Sequence, residues 1–580
     1  SEILRFIKEE GGSTYQAIIK QRFLNCHSPL KALEKKGLIE VFVEKPVFKP
    51  HKLKSLPSWV LKTIKLNKDQ KEIFKIILTS LKERESKVYL LHGATGSGKT
   101  EIYIELAKEA LKQEQTALIL VPEIALTPQI IVRFQARIKE PVAVLHSGLT
   151  TKERWHYWEG ILKGYYKIVI GVRSAIFAPL SNLGLIIVDE EHDSSFKQSD
   201  NLRYNARDLA VVLGKLKSCP VLLGSATPSL ESYTNTLRKK YEYLSLKASK
   251  ELDPSAVKVV DLTSFKIDQM FAKEISPPLY EAISNALSLG KQVFLLFNRR
   301  GFASFVSCVK CKKSVICPNC SVTLTFHKKR NILLCHYCGH TEPRPLVCPI
   351  CTKEGRIEPL PEMVLRGSGT ERAWEAVNKL FKGAGIGRMD RDALPTVKEL
   401  EQLLKEVREG KIKILVGTQM IAKGHDIPDV AVVGVIDCDV AMNIPDFRAW
   451  ERTVQLLFQA MGRIRESSVE NAKVILQTRH PKNPILQTVL RKDYLGFINT
   501  ELHRRKALRY PPFCRLMRII VSSREPDLTQ EYAEKLMEKI LSWEGISNSF
   551  QALGPVPAPL EHLRGRWRHH ILIKSSSAKE

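Results

Sequence analysis

Short apolar runs punctuate the chain at intervals, and the stretches between them carry apolar residues at helical spacing. Val88–Leu91, Ala117–Val121, Val142–Leu145, Ile168–Gly171, Leu185–Val188 and Val221–Gly224 read as buried strands. Strand alternating with helix marks a parallel sheet, so the fold class is α/β. A second alternation runs through Val293–Phe297, Ile412–Val416, Val432–Ile436 and Lys473–Leu476. Two such sheets predict two lobes. Ahead of them, short helices stop at Gly37 and give way to the alternating run Leu38–Glu44, an order that predicts an N-terminal winged helix. Lys31, Lys35 and Lys36 on its third helix either face a phosphate backbone or form a solvated basic face. Behind the second lobe, Leu516–Val521 predicts a strand, followed by a helix and a Pro-rich turn. The expected organisation is a winged-helix domain and linker over 1–57, a first lobe over 58–240, a second lobe over 241–480 with a Cys-rich insert at 303–356, and an α+β C-terminal domain over 481–580.

The loop after the first strand supplies the first chemistry. Gly93-Ala-Thr-Gly96-Ser-Gly98-Lys99-Thr100 has the G-x-x-x-x-G-K-T spacing of a phosphate-binding loop and lies between a strand and a helix, as that motif requires. Glycines at 93, 96 and 98 let the backbone turn its N–H groups inward, and the helix behind adds its positive end. A triphosphate fits there, with Lys99 on the β- and γ-phosphates and the Thr100 hydroxyl on Mg²⁺. The strand Leu185–Val188 ends in Asp189-Glu190-Glu191-His192, where a carboxylate faces such a loop. Asp189 is expected to hold Mg²⁺ and Glu190 to orient and deprotonate the attacking water. Upstream, the Gln70 amide can read an adenine edge with donor and acceptor together. Ser225 and Thr227 place hydroxyls near the nucleotide. The second lobe contributes Gly417–Asp426, including Gly424 and Asp426, and Gln459–Arg465, whose Arg463 is suited to stabilise charge on the transferred phosphoryl group.

Charge adds a partner. Lys+Arg number 90 against 62 Asp+Glu, a net charge of +28, which points to a polyanion and first to nucleic acid. The amino end is charged and lacks a signal-peptide core, and no apolar run approaches the roughly 18 residues of a membrane span. The expected location is cytoplasmic and nucleoid-associated. Without an initiator Met, and with Ile571–Lys574 reading as a strand that stops before any partner, both ends look trimmed.

Eight of the twelve cysteines form four C-x-x-C pairs: Cys308 and Cys311, Cys317 and Cys320, Cys335 and Cys338, Cys348 and Cys351. Each pair chelates through a tight turn, and eight thiolates make two closed, structural zinc sites. Iron–sulfur ligation is the rival chemistry. Spacing alone leaves open which pairs share an ion. Cys26, Cys219, Cys438 and Cys514 stand alone and read as core residues.

This set of motifs, in this order, resembles superfamily 2 helicases, and within them the family of primosomal protein N′ (PriA), the replication-restart DNA helicase. The residues that carry the resemblance include Val121–Gln129, Gly171–Pro179, the Asp-Glu-Glu-His box, Ser195–Gln198, Arg203–Asp208, Phe297–Gly301, the eight-cysteine insert, Pro445–Ala449, Tyr510–Phe513 and Gly554–Pro559, so it covers nearly the whole chain. The resemblance implies two RecA-like lobes and an ATP- and Mg²⁺-dependent helicase that binds branched DNA. It also implies 3′-to-5′ movement on single strands, help in loading the replicative helicase in primosome assembly, and single-strand-binding protein and other primosome proteins as partners of a monomer. The family further implies nested cysteine pairing, with Cys308, Cys311, Cys348 and Cys351 on one zinc and Cys317, Cys320, Cys335 and Cys338 on the other. It assigns an aromatic-rich loop over Phe196–Tyr204 to single-strand contact, and DNA contact to the C-terminal domain, where Arg564–His570 packs cations beside Trp567.

Two departures stand out. The family's last motif has Gly and Arg where this chain has Arg465 and Glu466, an acid where a cation meets the phosphates. The family's domain ahead of the winged helix, which binds the 3′ end of a nascent strand, has no counterpart here, so recognition of that end is not expected. Two alternative readings follow: a superfamily 2 duplex translocase that does not unwind, and a fork-binding loading scaffold whose ATPase is weakened by Glu466.

Overall fold

In the computed structural model the described residues are 2–14, 16–23, 26–41, 65–122, 128–138, 140–200, 202–247, 253–265, 274–297, 305–327, 330–353, 361–366, 370–390, 394, 397–418, 421, 427, 429–467, 469–543 and 550–576. The chain divides into two compact units, Ser1–Lys52 and Leu53–Glu580.

In the first unit three helices, Glu2–Glu9, Gln16–Arg22 and His27–Lys35, close over Ile3, Phe6, Ile19, Cys26, Leu30 and Leu33. Gly37, at φ 67°, ends the third helix as its lack of a Cβ allows. The expected ribbon is not confirmed. Residues 38–41 carry no strand, Leu38 and Val41 are exposed, and 42–44 and the linker at 51–57 lie outside the described residues.

The first lobe holds β1 (Val88–Gly93), β2 (Thr116–Leu120), β3 (Val142–Leu145), β4 (Ile168–Gly171), β5 (Leu183–Asp189), β6 (Val221–Ser225) and β7 (Glu242–Leu246). They form one all-parallel sheet in the order β3-β4-β2-β5-β6-β1-β7. The neighbours β5, β6 and β1 therefore bring their carboxyl ends, and the loops after them, side by side. β7 follows residue 240 yet pairs with β1. Its alternating, half-exposed pattern is that of a sheet edge and resembles no buried run.

The second lobe begins with β8 (Val257–Asp261) and β9 (Gln292–Leu296). The insert then adds short antiparallel strands β10 (Phe305–Cys308), β11 (Thr325–His327), β12 (Ile332–Leu334), β13 (Thr341–Pro343) and β14 (Met363–Arg366). After β15 (Ile386–Met389), β16 (Ile414–Gly417), β17 (Val430–Val435) and β18 (Lys473–Thr478), the sheet is complete as β15-β16-β9-β17-β18-β8, parallel throughout.

At the carboxyl end, β19 (Arg515–Ser523), β20 (Gln551–Leu563) and β21 (Arg566–Ser575) form an antiparallel sheet in the order β19-β21-β20, with the helix Pro526–Leu541 packed on it. Two expectations are corrected here. Ile571–Lys574 does not stop before a partner: it lies in the central strand, where Ile573 pairs with Met517 on one side and Ala552 on the other. Gly554–Pro559 is no turn but part of β20, an edge strand with a register shift between Leu553 and Val556. Proline lacks the N–H that a central strand must donate, and an irregular edge tolerates it.

Candidate nucleotide site and zinc centre

The phosphate loop leaves β1 and enters the helix Lys99–Lys112 with Gly96 at φ 77° and Gly98 at φ 84°. Lys99 is buried, and its Nζ donates to the Gly93 carbonyl at 2.7 Å, closing the loop on itself. Thr100 is the second residue of the helix and half-buried. Gln70 braces the loop from behind: its Oε1 accepts from Asn67 N at 2.9 Å as part of a capping box, and its Nε2 donates to Ser97 O at 3.0 Å. A Cβ on Gly98 would collide with that Nε2, so the close approach requires glycine. One N–H and one lone pair of the Gln70 amide are left for a base edge.

Asp189 ends β5 opposite Lys99. Desolvation, then the neighbouring Glu190 charge, push its carboxyl up to about 6, while Lys99 and a 2.9 Å hydrogen bond from Tyr103 Oη hold it from rising further. Tyr103 was not singled out in the sequence. It lies one helical turn beyond Lys99, which is what turns both toward the β5 end. Glu190 holds φ 48°, a left-handed conformation that side chains other than Gly rarely adopt. Its carboxylate lies 3.5 Å from His192 Nδ1. Glu191 turns the other way. Fully buried, it accepts from Ser229 N at 2.6 Å, Ser229 Oγ at 3.0 Å, Ser232 Oγ at 2.7 Å and Arg207 at 3.2 Å. Two adjacent acids thus have opposite roles: Glu190 borders the open site, and Glu191 ties the start of the helix Leu230–Leu237 to β5.

The second lobe meets this site through the helix Ala449–Glu466. Gln455, Gln459 and Gly462 share one face, since they are four and three residues apart. Gln455 Nε2 reaches Thr227 O at 3.4 Å, and Gln459 Nε2 lies 2.9 Å from His192 Nε2. His192 Nδ1 in turn lies 2.7 Å from Ser225 Oγ, which accepts from Thr227 N at 2.9 Å. A Cβ on Gly462 would stand 2.7 Å from Thr95 Oγ1, so the helix rests on the phosphate loop itself. Arg463, next along, is buried in that joint. Gly424 and Asp426 lie outside the described residues, as do Asn298–Gly301.

The cysteine thiols gather as two tetrads, Cys308, Cys311, Cys348 and Cys351, and Cys317, Cys320, Cys335 and Cys338, each with its sulfurs within 4.8 Å of one another. This is the nested arrangement. Separations of 4.0 Å for Cys308 and Cys351, 3.6 Å for Cys311 and Cys348, and 3.5 Å for Cys317 and Cys338 bracket the ~3.8 Å between ligands of a tetrahedral ion with Zn–S near 2.3 Å. Eight thiols therefore fit two zinc ions. His336 is no ligand: its Nδ1 faces Pro557 O at 3.0 Å and its carbonyl is 2.5 Å from His570 Nε2, docking the insert on the C-terminal sheet.

Two expectations for DNA contact change. Phe196 is fully buried, and Tyr204 packs edge-on against Phe177 at 5.1 Å. In the Arg564–His570 segment, Arg564 and Gly565 form the β20–β21 turn at φ 52° and 74°, leaving Arg564 and Arg566 exposed. Burial lowers His569 and holds His570 at about 4, so the cations of this ribbon are its arginines.

Compared with known proteins, residues 67–236 match the DEAD/DEAH box helicase family and 371–466 the helicase conserved C-terminal domain. Residues 317–343 match the PriA DNA helicase Cys-rich region, and 506–580 the primosomal protein N C-terminal domain. The chain is 38% identical over 576 residues to the replication restart protein PriA of Bacillus subtilis, covering 99% of this chain and 70% of that one. It is 41% identical over 493 residues to the Haemophilus influenzae protein of the same description, covering 84% and 65%. For that of Chlamydia pneumoniae the figures are 38% over 553 residues, 95% and 72%.

Proposed function

The chain belongs to the family of the replication restart protein PriA, and from that premise we propose that it unwinds branched DNA by moving 3′ to 5′ on one strand and supports primosome assembly at abandoned forks. It is an ATP-dependent DNA helicase with a two-zinc insert. The observation that carries the proposal is the seating of Gln455, Gln459 and Gly462 on Thr227, His192 and Thr95, which sets one lobe against the nucleotide machinery of the other.

In this reading Lys99 exchanges the Gly93 carbonyl for phosphate oxygens, and Thr100 and Asp189 would hold a Mg²⁺ ion, which would supply positive charge beside them. Glu190 takes a proton from the attacking water, and His192 beside it passes the change in charge to Gln459. Arg463 enters from the second lobe to meet charge on the transferred group. Gln70, with its remaining donor and acceptor, reads the base. Single-strand-binding protein and loading proteins are its proposed partners, and the exposed Arg564 and Arg566 and the helix bearing Lys31, Lys35 and Lys36 its proposed phosphate contacts.

A second reading rests on one position. The chain has Glu466 where the family's last motif has Arg, and an acid there opposes phosphate charge and favours a loading scaffold with slow hydrolysis. Steady-state ATP hydrolysis with and without forked DNA, on the parent chain, Lys99→Ala and Glu466→Arg, separates the two. Strong stimulation in the parent, abolished in Lys99→Ala with fork binding retained, establishes the motor. Negligible hydrolysis restored by Glu466→Arg makes the chain chiefly a fork-binding platform.

A further inference from the structure

A continuous line of buried polar and aromatic contacts leaves the Asp-Glu-Glu-His box and ends on one of the two zinc sites. Glu191 holds Ser229 N, and the next amide, Leu230 N, donates at 3.0 Å to Glu451 Oε1 in the second lobe. Glu451 Oε2 accepts at 2.7 Å from Arg505, which is fully buried and also bonds Glu501 at 3.0 Å and Pro511 O at 3.2 Å. The same guanidinium lies over the Phe447 ring at 5.1 Å. Phe447 stacks on Tyr510, with centroids 4.9 Å apart and planes 5° from parallel. Both residues then reach the same cysteine tetrad: Tyr510 Oη donates to Cys320 O at 2.8 Å, and the Phe447 backbone N–H donates at 3.2 Å to the hydroxyl of Tyr337, which sits between Cys335 and Cys338 in the sequence.

Three features make this line more than packing. Its members belong to four parts of the fold: the first lobe, the second lobe, the insert, and the helix Tyr494–Ala507 that leads to the C-terminal domain. A buried cation facing two carboxylates has no neutral alternative position, so if Glu451 moves with Leu230, Arg505 moves with it. Beside the joint, a cavity of about 1180 Å³ opens between the second lobe and the insert, with Trp450, Arg504 and Asp446 in its wall near the joint and Lys312, Lys313 and Ile350 on the insert side. On that side the insert faces open space, and the Phe447–Tyr510 stack is its hold on the second lobe near the cavity, as His336 is its hold on the C-terminal sheet.

We propose that Arg505 is a positioning residue that carries closure of the two lobes over nucleotide to the zinc insert, so that strand separation depends on it while hydrolysis does not. The inference rests on the motor reading above and adds to it the route by which the insert senses the nucleotide state. Arg505 contacts Glu451, Glu501, Pro511 O and the Phe447 ring, none of them in the phosphate loop or a cysteine tetrad. Its replacement by Lys keeps the charge but loses the planar fork that serves Glu451, Glu501 and Phe447 together.

The test uses the full chain as Arg505→Lys, Tyr510→Phe and the double variant. It measures zinc content, kcat and KM for ATP with forked DNA, and strands separated per ATP hydrolysed. The expected result is two zinc per chain, ATP parameters near the parent's, and a yield of separated strands per ATP lower by about tenfold in Arg505→Lys. Tyr510→Phe keeps the stack and loses only the bond to Cys320 O, so it gives a smaller loss in the same direction. The double variant is no worse than Arg505→Lys alone, because the two act in series. An unchanged yield, losses that multiply in the double variant, or a parallel fall in hydrolysis and unwinding with zinc loss overturns the proposal and leaves the motor intact. Absence of DNA-stimulated hydrolysis in the parent overturns the motor reading, and this proposal with it.

Discussion

Replacing Glu191 by Ala and Glu190 by Gln sets two neighbouring carboxylates against each other. Glu191 has no exposed surface to speak of, and its four donors include one backbone amide and one guanidinium. Ser229 Oγ keeps the bonds it accepts from Arg207 at 2.8 Å and from Ser232 N at 3.2 Å. The Ser229 amide loses its acceptor, and Arg207 keeps only the more exposed Asp208 as a bonded carboxylate. Half-orphaning a buried ion pair and stranding a buried N–H costs about 3–5 kcal/mol. For a lobe of this size, 1 kcal/mol corresponds to about 2–4 °C, so the first unfolding transition should drop by roughly 10 °C. Glu190, whose side chain is partly exposed and which Gln matches in size, should leave that transition within about 1–2 °C when changed to Gln, since substitutions that spare buried networks are usually within ±0.5 kcal/mol. The same Glu190→Gln chain should bind nucleotide and fail to turn it over. Differential scanning calorimetry of the nucleotide-free chains, followed by DNA-stimulated ATP turnover, reads both effects. A Glu191→Ala chain as stable as the parent, or normal turnover in Glu190→Gln, refutes the division of roles.

The remaining expectations concern ions. Metal analysis of the purified chain should give two zinc per molecule, and removing them with a chelator should loosen the Tyr510 and Tyr337 contacts and expose both rings to quenchers; one zinc or none would refute the eight-thiol assignment. Asp189, pushed up to about 6 by burial and by Glu190, has a folded value above that of an exposed carboxyl. As pH falls through about 6 its protonation therefore favours the nucleotide-free fold, and it removes the charge that a metal needs. Calorimetric titration with a non-hydrolysable Mg·ATP analogue should show affinity falling below about pH 6, and Tyr103→Phe, which deletes a bond that lowers this carboxyl, should move the onset to higher pH. A flat affinity between about pH 5 and 7 would count against Asp189 as the metal-facing group.

The sequence by itself determined the features written in short spacings. A phosphate loop needs glycine where φ turns positive and a lysine next to a helix start, so eight consecutive residues display it. Buried parallel strands are apolar on both faces and announce themselves, and four C-x-x-C pairs state two zinc sites. Edge strands such as β7 escaped because half their residues face solvent. The end of β21 reads locally as a strand without a partner because nothing near it in the sequence reveals that β19 and the irregular β20 flank it. Only the tertiary structure decided what depends on partners far along the chain. It paired the cysteines, turned Glu191 away from the site that Glu190 borders, and committed half of the Gln70 amide to Ser97. It also joined Leu230 to Glu451 across 221 positions and Tyr510 to Cys320 across 190. The physical reason is common to all of these. A short motif fixes backbone shape and the chemistry of its side chains. Which of two like groups is buried, paired and immobilised is set by the donors that other elements bring against it.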